Sequence, residues 1–175
     1  FGFVVEDGTI LKLIDSYISN SGWDDSVGQR GLEINVSDAI LNNVTIEDSY
    51  IGVTIYSDNV NISNSTINNW TEHGIYFSES DNGIIDNNII NGSSCENIYC
   101  GGIKATNTNN LTISNNELIV NGFDGITIGS EGAPTTNLTI SNNNLTGEWP
   151  TIRLSYEGLN NSILSNSIIG GIRIL

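Results

Sequence analysis

Polar and apolar positions along this chain follow one short pattern that is written again and again. Gly52-Val53-Thr54-Ile55, four turn residues, and then Val60-Asn61-Ile62-Ser63-Asn64-Ser65-Thr66-Ile67 make one copy. Gly74-Ile75-Tyr76-Phe77 with Gly83 to Ile90, Gly102-Ile103-Lys104-Ala105 with Leu111 to Leu118, and Gly125-Ile126-Thr127-Ile128 with Leu138 to Leu145 are further copies. Gly31-Leu32-Glu33-Ile34 with Ala39 to Ile46 fits the frame upstream, and Thr151-Ile152-Arg153-Leu154 with Ser162 to Ile169 fits it downstream. Copies start at 31, 52, 74, 102, 125, 151 and 171, a spacing in the range of repeat architectures. Each holds runs of three to five alternating residues rich in Ile, Val and Thr, set off by Asn, Ser, Asp and Gly. That grammar is strand, turn, strand, turn; it leaves neither the period nor the length for helices.

Short strands repeated at this spacing predict a solenoid in which each coil hydrogen-bonds to the coils above and below. Asn43, Asn64, Asn87, Asn115, Asn142 and Asn166 take one place in successive copies, with Asp15 in the first. Stacked side-chain amides can bond to one another along an axis, so these seven residues are expected to form an inward-facing ladder. The repeat resembles the right-handed parallel β-helix shared by pectate lyases, polygalacturonases and NosD-like periplasmic proteins, over essentially the whole chain. The resemblance implies an all-β, right-handed parallel β-helix of about seven coils with an internal Asn ladder, spanning residues 1–175 as one domain. It does not fix function, because that fold carries lyases, hydrolases, adhesins and fibres alike.

Composition narrows the partners. The 175 residues carry a formal charge of −15, which argues against nucleic acid and anionic membrane. At about 4.8 Å per coil the rod would be on the order of 35 Å long, with a thin continuous core. Residues 1–87 hold fourteen acids against Lys12 and Arg30; residues 88–175 hold six against Lys104, Arg153 and Arg173. There is no methionine, no signal peptide and no transmembrane run, so the chain reads as a mature product or an excised piece. Asn35, Asn61, Asn69, Asn91, Asn110, Asn137, Asn144 and Asn160 head N-glycosylation sequons and suggest export. An Asn-, Ser- and Thr-rich repeat also makes such triplets by chance. Asn43 and Asn64 match the triplet too, but their place in the inward ladder would exclude them. Cys95 and Cys100, the only cysteines, are expected to close a local disulfide in an oxidising compartment.

Candidate chemistry lies on the first strand of each copy, whose outward residues read Val4, Glu33, Thr54, Tyr76, Lys104, Thr127, Arg153 and Arg173. Phe123-Asp124-Gly125-Ile126-Thr127-Ile128-Gly129-Ser130 resembles the Gly-His-Gly-Ile-Ser-Ile-Gly-Ser segment of polygalacturonases, with Asp124 where their histidine stands. Where that family has an Asp pair this chain has Gly101-Gly102, and where it has Asn-Thr-Asp this chain has Thr71-Glu72-His73. Hydrolysis by two carboxylates needs an acid and a base at fixed separation, and that set is missing. His73, Tyr76, Lys104 and Asp124 would instead share three adjacent coils. Lys104 or Tyr76 could act as base or acid toward an acidic sugar, while Lys104 and Arg153 could hold carboxylates. Equally, a lone histidine and scattered charges can decorate a solvent-facing sheet. No metal or cofactor is expected. Trp23, Trp70 and Trp149 share a late turn of their copies and would cover the solenoid edge more readily than form a sugar-stacking strip.

Neither terminus offers a helix or polar segment to seal the stack, and Phe1, Phe3 and Val5 face one end while Ile172, Arg173 and Ile174 face the other. Solenoids need capping units, so the ends are expected to meet other coils. The leading expectation is therefore an extracellular structural protein, a glycosylated solenoid that self-associates head to tail into a filament, sheath or stalk. The alternative is a β-helix that binds or cleaves acidic polysaccharide, with glycans as partners, no nucleic acid and no membrane insertion. Whether it is an enzyme is left open by the residues.

Overall fold

The structure is a computed structural model and describes residues 2–6, 8–26, 28–92, 100–120, 124–129, 134–155 and 160–174, without the side chains of 148–150. Among the described residues all regular structure is strand. The first coil holds β1 (Phe3–Val5) and β2 (Lys12–Ser19), and the second holds β3 (Gly31–Ile34) and β4 (Ile40–Glu47). The third holds β5 (Ile51–Ile55), β6 (Asn61–Ser63) and β7 (Thr66–Asn68). The fourth holds β8 (His73–Ser78), β9 (Ile84–Asp86) and β10 (Ile89–Gly92), and the fifth β11 (Gly101–Thr106), β12 (Thr112–Ser114) and β13 (Glu117–Val120). In the sixth, β14 (Asp124–Ile128) and β15 (Thr139–Ser141) lead into β16 (Asn144–Leu154), which runs on into the seventh. There β17 (Ser162–Leu164) precedes β18 (Ser167–Ile174), whose end opens an eighth coil.

Each printed strand pairing is parallel and joins strands one coil apart, so the chain winds as a tube with three faces. The first face stacks β1, β3, β5, β8, β11, β14 and the ends of β16 and β18. The second stacks the first half of β2 and of β4 with β6, β9, β12, β15 and β17. The third stacks the second half of β2 and of β4 with β7, β10, β13 and the starts of β16 and β18. Apolar alternation turns one residue in two inward, and the register lines those residues up in columns. On the first face Leu32, Val53, Ile75, Ile103, Ile126 and Ile152 are stacked and buried; on the second, Leu41, Ile62, Ile85, Ile113 and Ile140. Each such side chain contributes about 1.5–3 kcal/mol by leaving water, and β-branched residues suit the pleated wall.

The corners explain the asparagines. Three-stranded coils this short must turn sharply, and the turn residues take left-handed backbone. Of the non-glycine described residues with positive φ, all but Glu79 and Ser165 are Asn or Asp. Those two residue types tolerate that region best, because a short polar side chain can bond locally. Asp38, Asn59, Asn82, Asn110, Asn137 and Asn160 turn the chain from first face to second, and Asn20, Asp48 and Asn69 turn it out of the third.

This corrects the expected ladder by one residue. Asp15, Asn43, Asn64, Asn87, Asn115 and Asn142 are the left-handed corner between second and third faces and are exposed. Some of them do bond along the axis, on the outside: Asn43 Nδ2 donates to Asp15 Oδ1 at 2.6 Å and Asn87 Nδ2 to Asn64 Oδ1 at 2.7 Å. The internal ladder is the next residue in each coil: Asn88, Asn116, Asn143 and Asn166, preceded by Ser65. Asn166 alone of the seven expected residues belongs to it. Exposure of Asn43 and Asn64 also removes the reason for excluding them as sequons.

Candidate functional site

The register of the first face brings Val4, Glu33, Thr54, Tyr76, Lys104, Thr127, Arg153 and Arg173 into a single outward row along the axis. A second row lies three residues earlier, at the strand starts, where Ile51, His73, Gly101 and Asp124 are successive partners. A β-bend at the intervening glycines lets both rows face outward: a Cβ added to Gly102 or Gly125 would meet the core residues Leu118 or Leu145. One added to Gly101 would meet Thr127 Oγ1 instead. His73, Tyr76, Lys104 and Asp124, far apart in sequence, thus meet on coils four to six.

Their contacts are specific. The His73 and Tyr76 rings are 5.6 Å apart and tilted, and the Lys104 ammonium lies 5.2 Å from the Tyr76 ring centroid. Arg153 Nε is 3.0 Å from Asp124 Oδ2, close enough to pair charges though not aligned as a hydrogen bond. Thr127 Oγ1 donates to the same Asp124 oxygen at 3.2 Å. Glu72 Oε1 lies 3.6 Å from His73 Nε2.

Burial decides the protonation states. His73 is buried, and desolvation, reinforced by the Lys104 charge, lowers its pKa to about 3. The imidazole is therefore neutral near pH 7, and its approach to Glu72 is not an ion pair there. Asp124 is also buried; desolvation raises its pKa, against the opposing pull of Arg153 and the Thr127 hydrogen bond. Both ring nitrogens of His73 and Asp124 Oδ1 lack hydrogen-bond partners among the described residues. Buried polar atoms without partners cost free energy and cluster where a ligand completes the set. Gly101, between them, keeps the floor of the site low.

Other sequence expectations are placed as follows. Trp70 is buried over the corner that leads to the first face, against Gly74 and Gly92, so it does cover the edge. Trp23 instead is 60 % exposed on the loop before β3, and the Trp149 side chain falls outside the described atoms. Cys100 is buried beside β11, while Cys95 lies outside the described residues, as does Phe1. Among the sequon asparagines, Asn69, Asn91, Asn110, Asn137, Asn144 and Asn160 are exposed, and Asn35 and Asn61 are half-buried. None of them stands in the outward row of the first face.

One feature was invisible in sequence. Glu33 reads as an exposed acid on a strand, yet it is fully buried: Gly28 N–H donates to its Oε1, and its Oε2 has no partner. The cover comes from the loop before β3, held by Gly2 N–H on Gly28 O at 2.9 Å and by Arg30 on the Tyr56 hydroxyl.

No curated protein sequence matches the chain. Among solved structures, the Streptococcus pneumoniae surface protein and adhesin PfbA is similar, with TM-score 0.59 and 10 % identity over 94 % of this chain. The chain spans 66 % of that protein's length. The alginate lyase from Paenibacillus sp. str. FPU-7 aligns with TM-score 0.34 and 11 % identity, over 98 % of this chain and 90 % of that one. At such identities the first likeness is one of fold. The sequence model described as "Right handed beta helix region" matches residues 30–174, and the three-faced parallel coil agrees with it: the chain belongs to the right-handed β-helix family.

Proposed function

We propose that this chain is a β-solenoid module of an extracellular, cell-surface protein whose first face holds acidic carbohydrate. The observation that carries the reading is the meeting of His73, Tyr76, Lys104 and Asp124, with unpartnered buried atoms on His73 and Asp124. Charge placement supports it. The chain has five basic residues, and Lys104, Arg153 and Arg173 stand in one row of the first face. That row gives a locally positive strip on a molecule of net charge −15. A guanidinium and an ammonium one or two coils apart suit successive carboxylates of a uronic-acid polymer, and the Tyr76 ring offers a stacking face. Lys104, Tyr76 and neutral His73 are the groups available to move a proton at a bound sugar. The test is a binding titration with a polyuronate against a neutral glucan, with absorbance recorded for unsaturated products. Polyuronate binding that Lys104→Ala weakens supports the reading; equal, unaltered affinity for both polymers removes it.

A second reading, a structural subunit that stacks end to end into a filament or stalk, is favoured by a different observation. Phe3 at one mouth of the tube is 48 % exposed, and Ile172 and Ile174 at the other are 50 % and 70 % exposed. All three stand in columns that are buried everywhere else. Light scattering over a range of concentrations tests it, a constant monomer mass being the contrary result.

A further inference from the structure

The internal ladder has a direction. In each coil the ladder residue's side-chain oxygen accepts from the backbone N–H of its counterpart one coil earlier: Asn88 to Asn116 at 2.9 Å, Asn116 to Asn143 at 2.9 Å, Asn143 to Asn166 at 2.8 Å. Its Nδ2 reaches back to a carbonyl, as Asn166 does to Ile140 O at 2.9 Å, and forward to the next amide oxygen, as Asn143 does to Asn166 at 3.0 Å. Asn166 closes this series among the described residues, with forward-facing donors and no coil beyond it on that corner. At the other end the slot is filled by Ser16. Ser65 shows what a serine does there: it donates to Ser63 O at 2.8 Å and accepts Val44 N–H at 3.1 Å. Ser16 makes the same local bond, to Ile14 O at 2.9 Å, and its accepting side faces the open mouth. Donors at one end are matched by an acceptor at the other.

The apolar columns match as well. The mouth at Ser16 is a pocket of about 430 Å³ lined by Phe3, Leu13, Tyr17, Ile18 and Ser21. At the opposite end Ile163 and Ile168 stand in the columns of Leu13 and Ile18, and Ile172 stands in that of Phe3. If a second copy follows directly on the second and third faces, the first face has one strand too many. Both Gly171–Ile174 of one copy and β1 of the next would then claim the place beside β3.

Resting on the stacking reading, we propose that this mouth receives the end of a second copy of the chain, whose Gly171–Ile174 strand displaces β1. β1 is the short occupant, three residues paired on one side only. In the exchange Ile172 and Ile174 replace Phe3 and Val5, and Arg173 replaces Val4, the register partner of Glu33. That substitution answers the orphaned carboxylate: Glu33 Oε2, buried and unpartnered in the single chain, gains a guanidinium beside it. The ladder closes at the same time, Asn166 donating to Ser16 of the next copy.

The experiment measures mass by light scattering for the full chain, for Arg173→Glu, and for a 1:1 mixture of the full chain with a variant lacking residues 1–6. Concentrations run from about 10 μM to about 1 mM, and circular dichroism checks the fold of each variant. Expected are whole-number multiples of the chain mass, association weakened at least about tenfold in Arg173→Glu, and tighter association in the mixture, where the slot is already vacant. A monomer at all concentrations in all samples overturns stacking and exchange together. Stacking that ignores both Arg173→Glu and the loss of residues 1–6 overturns the exchange and leaves stacking standing.

Discussion

Asn88 and Asn116, one coil apart and both buried, are joined twice: the backbone N–H and the side-chain Nδ2 of Asn88 both donate to Asn116 Oδ1, at 2.9 and 3.0 Å. Asn116 passes the same pair of bonds on to Asn143. Replacing Asn116 by Leu would strand a buried N–H and an amide on the Asn88 side, a carbonyl at Ile85 and the amide oxygen of Asn143. The expected loss is about 2–4 kcal/mol, read as a lowered urea midpoint. Asn115, next in sequence, is exposed at φ 55°, so Asn115→Gly should change stability by less than about 0.5 kcal/mol. Equal losses at the two sites would contradict the assignment of inside and outside.

That contrast marks where sequence reading succeeded and where it slipped. The strands, their three-face order and the outward row from Val4 to Arg173 were legible, because alternation of Ile and Val with polar residues fixes which side faces the core. The ladder was not, because Asn87-Asn88, Asn115-Asn116 and Asn142-Asn143 put the same residue at an exposed corner and at a buried slot. Alternation cannot separate two adjacent asparagines. The signal was present in two coils only: Val44 follows Asn43, and Asn166 follows Ser165. An aliphatic residue in the second position of the pair identifies it as the inward one. Buried Glu33 was illegible for another reason, since its cover is a loop whose path no local pattern encodes.

His73 carries a pH signature with a definite sign. Its folded pKa, about 3, lies below the 6.5 of an unfolded histidine. Between those values the unfolded chain binds a proton that the folded chain refuses, so stability contributed by the neutral ring is full above about pH 6.5 and is lost progressively as pH falls toward 3. Urea midpoints of the native chain and of His73→Phe, compared from pH 4 to 8, should converge toward acid, the variant lacking this component of the slope. Parallel profiles would mean that His73 already has a partner for its proton.

The glycines that open the first-face strands are expected to be intolerant. A Cβ on Gly102 would sit 2.8 Å from the carbonyl oxygen of Gly125, in backbone that belongs to the next coil. Gly102→Ala should cost about 1–3 kcal/mol and lower the thermal midpoint, whereas Gly171→Ala, where a Cβ meets nothing within 4 Å, should cost little.

Arg153 and Thr127 both address Asp124, and their removal should differ. Arg153→Ala takes away a charge and is expected to raise the Asp124 pKa further and weaken polyuronate binding at least about tenfold. Thr127→Val removes only the 3.2 Å hydrogen bond and should change binding less. Titration of the Asp124 side-chain carbon by NMR and isothermal titration calorimetry provide the two readouts.

The cysteine expectation is checked by counting thiols. A Cys95–Cys100 bridge would leave no reactive thiol in the denatured chain before reduction and two after it. So short a loop limits its entropic contribution to about 2 kcal/mol, so reduction should lower the midpoint without unfolding the protein.

Because every strand takes its backbone partners from the turn before and the turn after, the tube has a seam-free mechanical character. Tension along its length loads those bonds end-on, and the terminal turn, bonded on one side only, is the first to give. Asn64 and Asn87 mark one turn of 23 residues, so each yielding step would pay out roughly 75 Å of chain at about 3.4 Å per residue. A molecule of this build would meet shear at a surface by lengthening in instalments rather than by snapping.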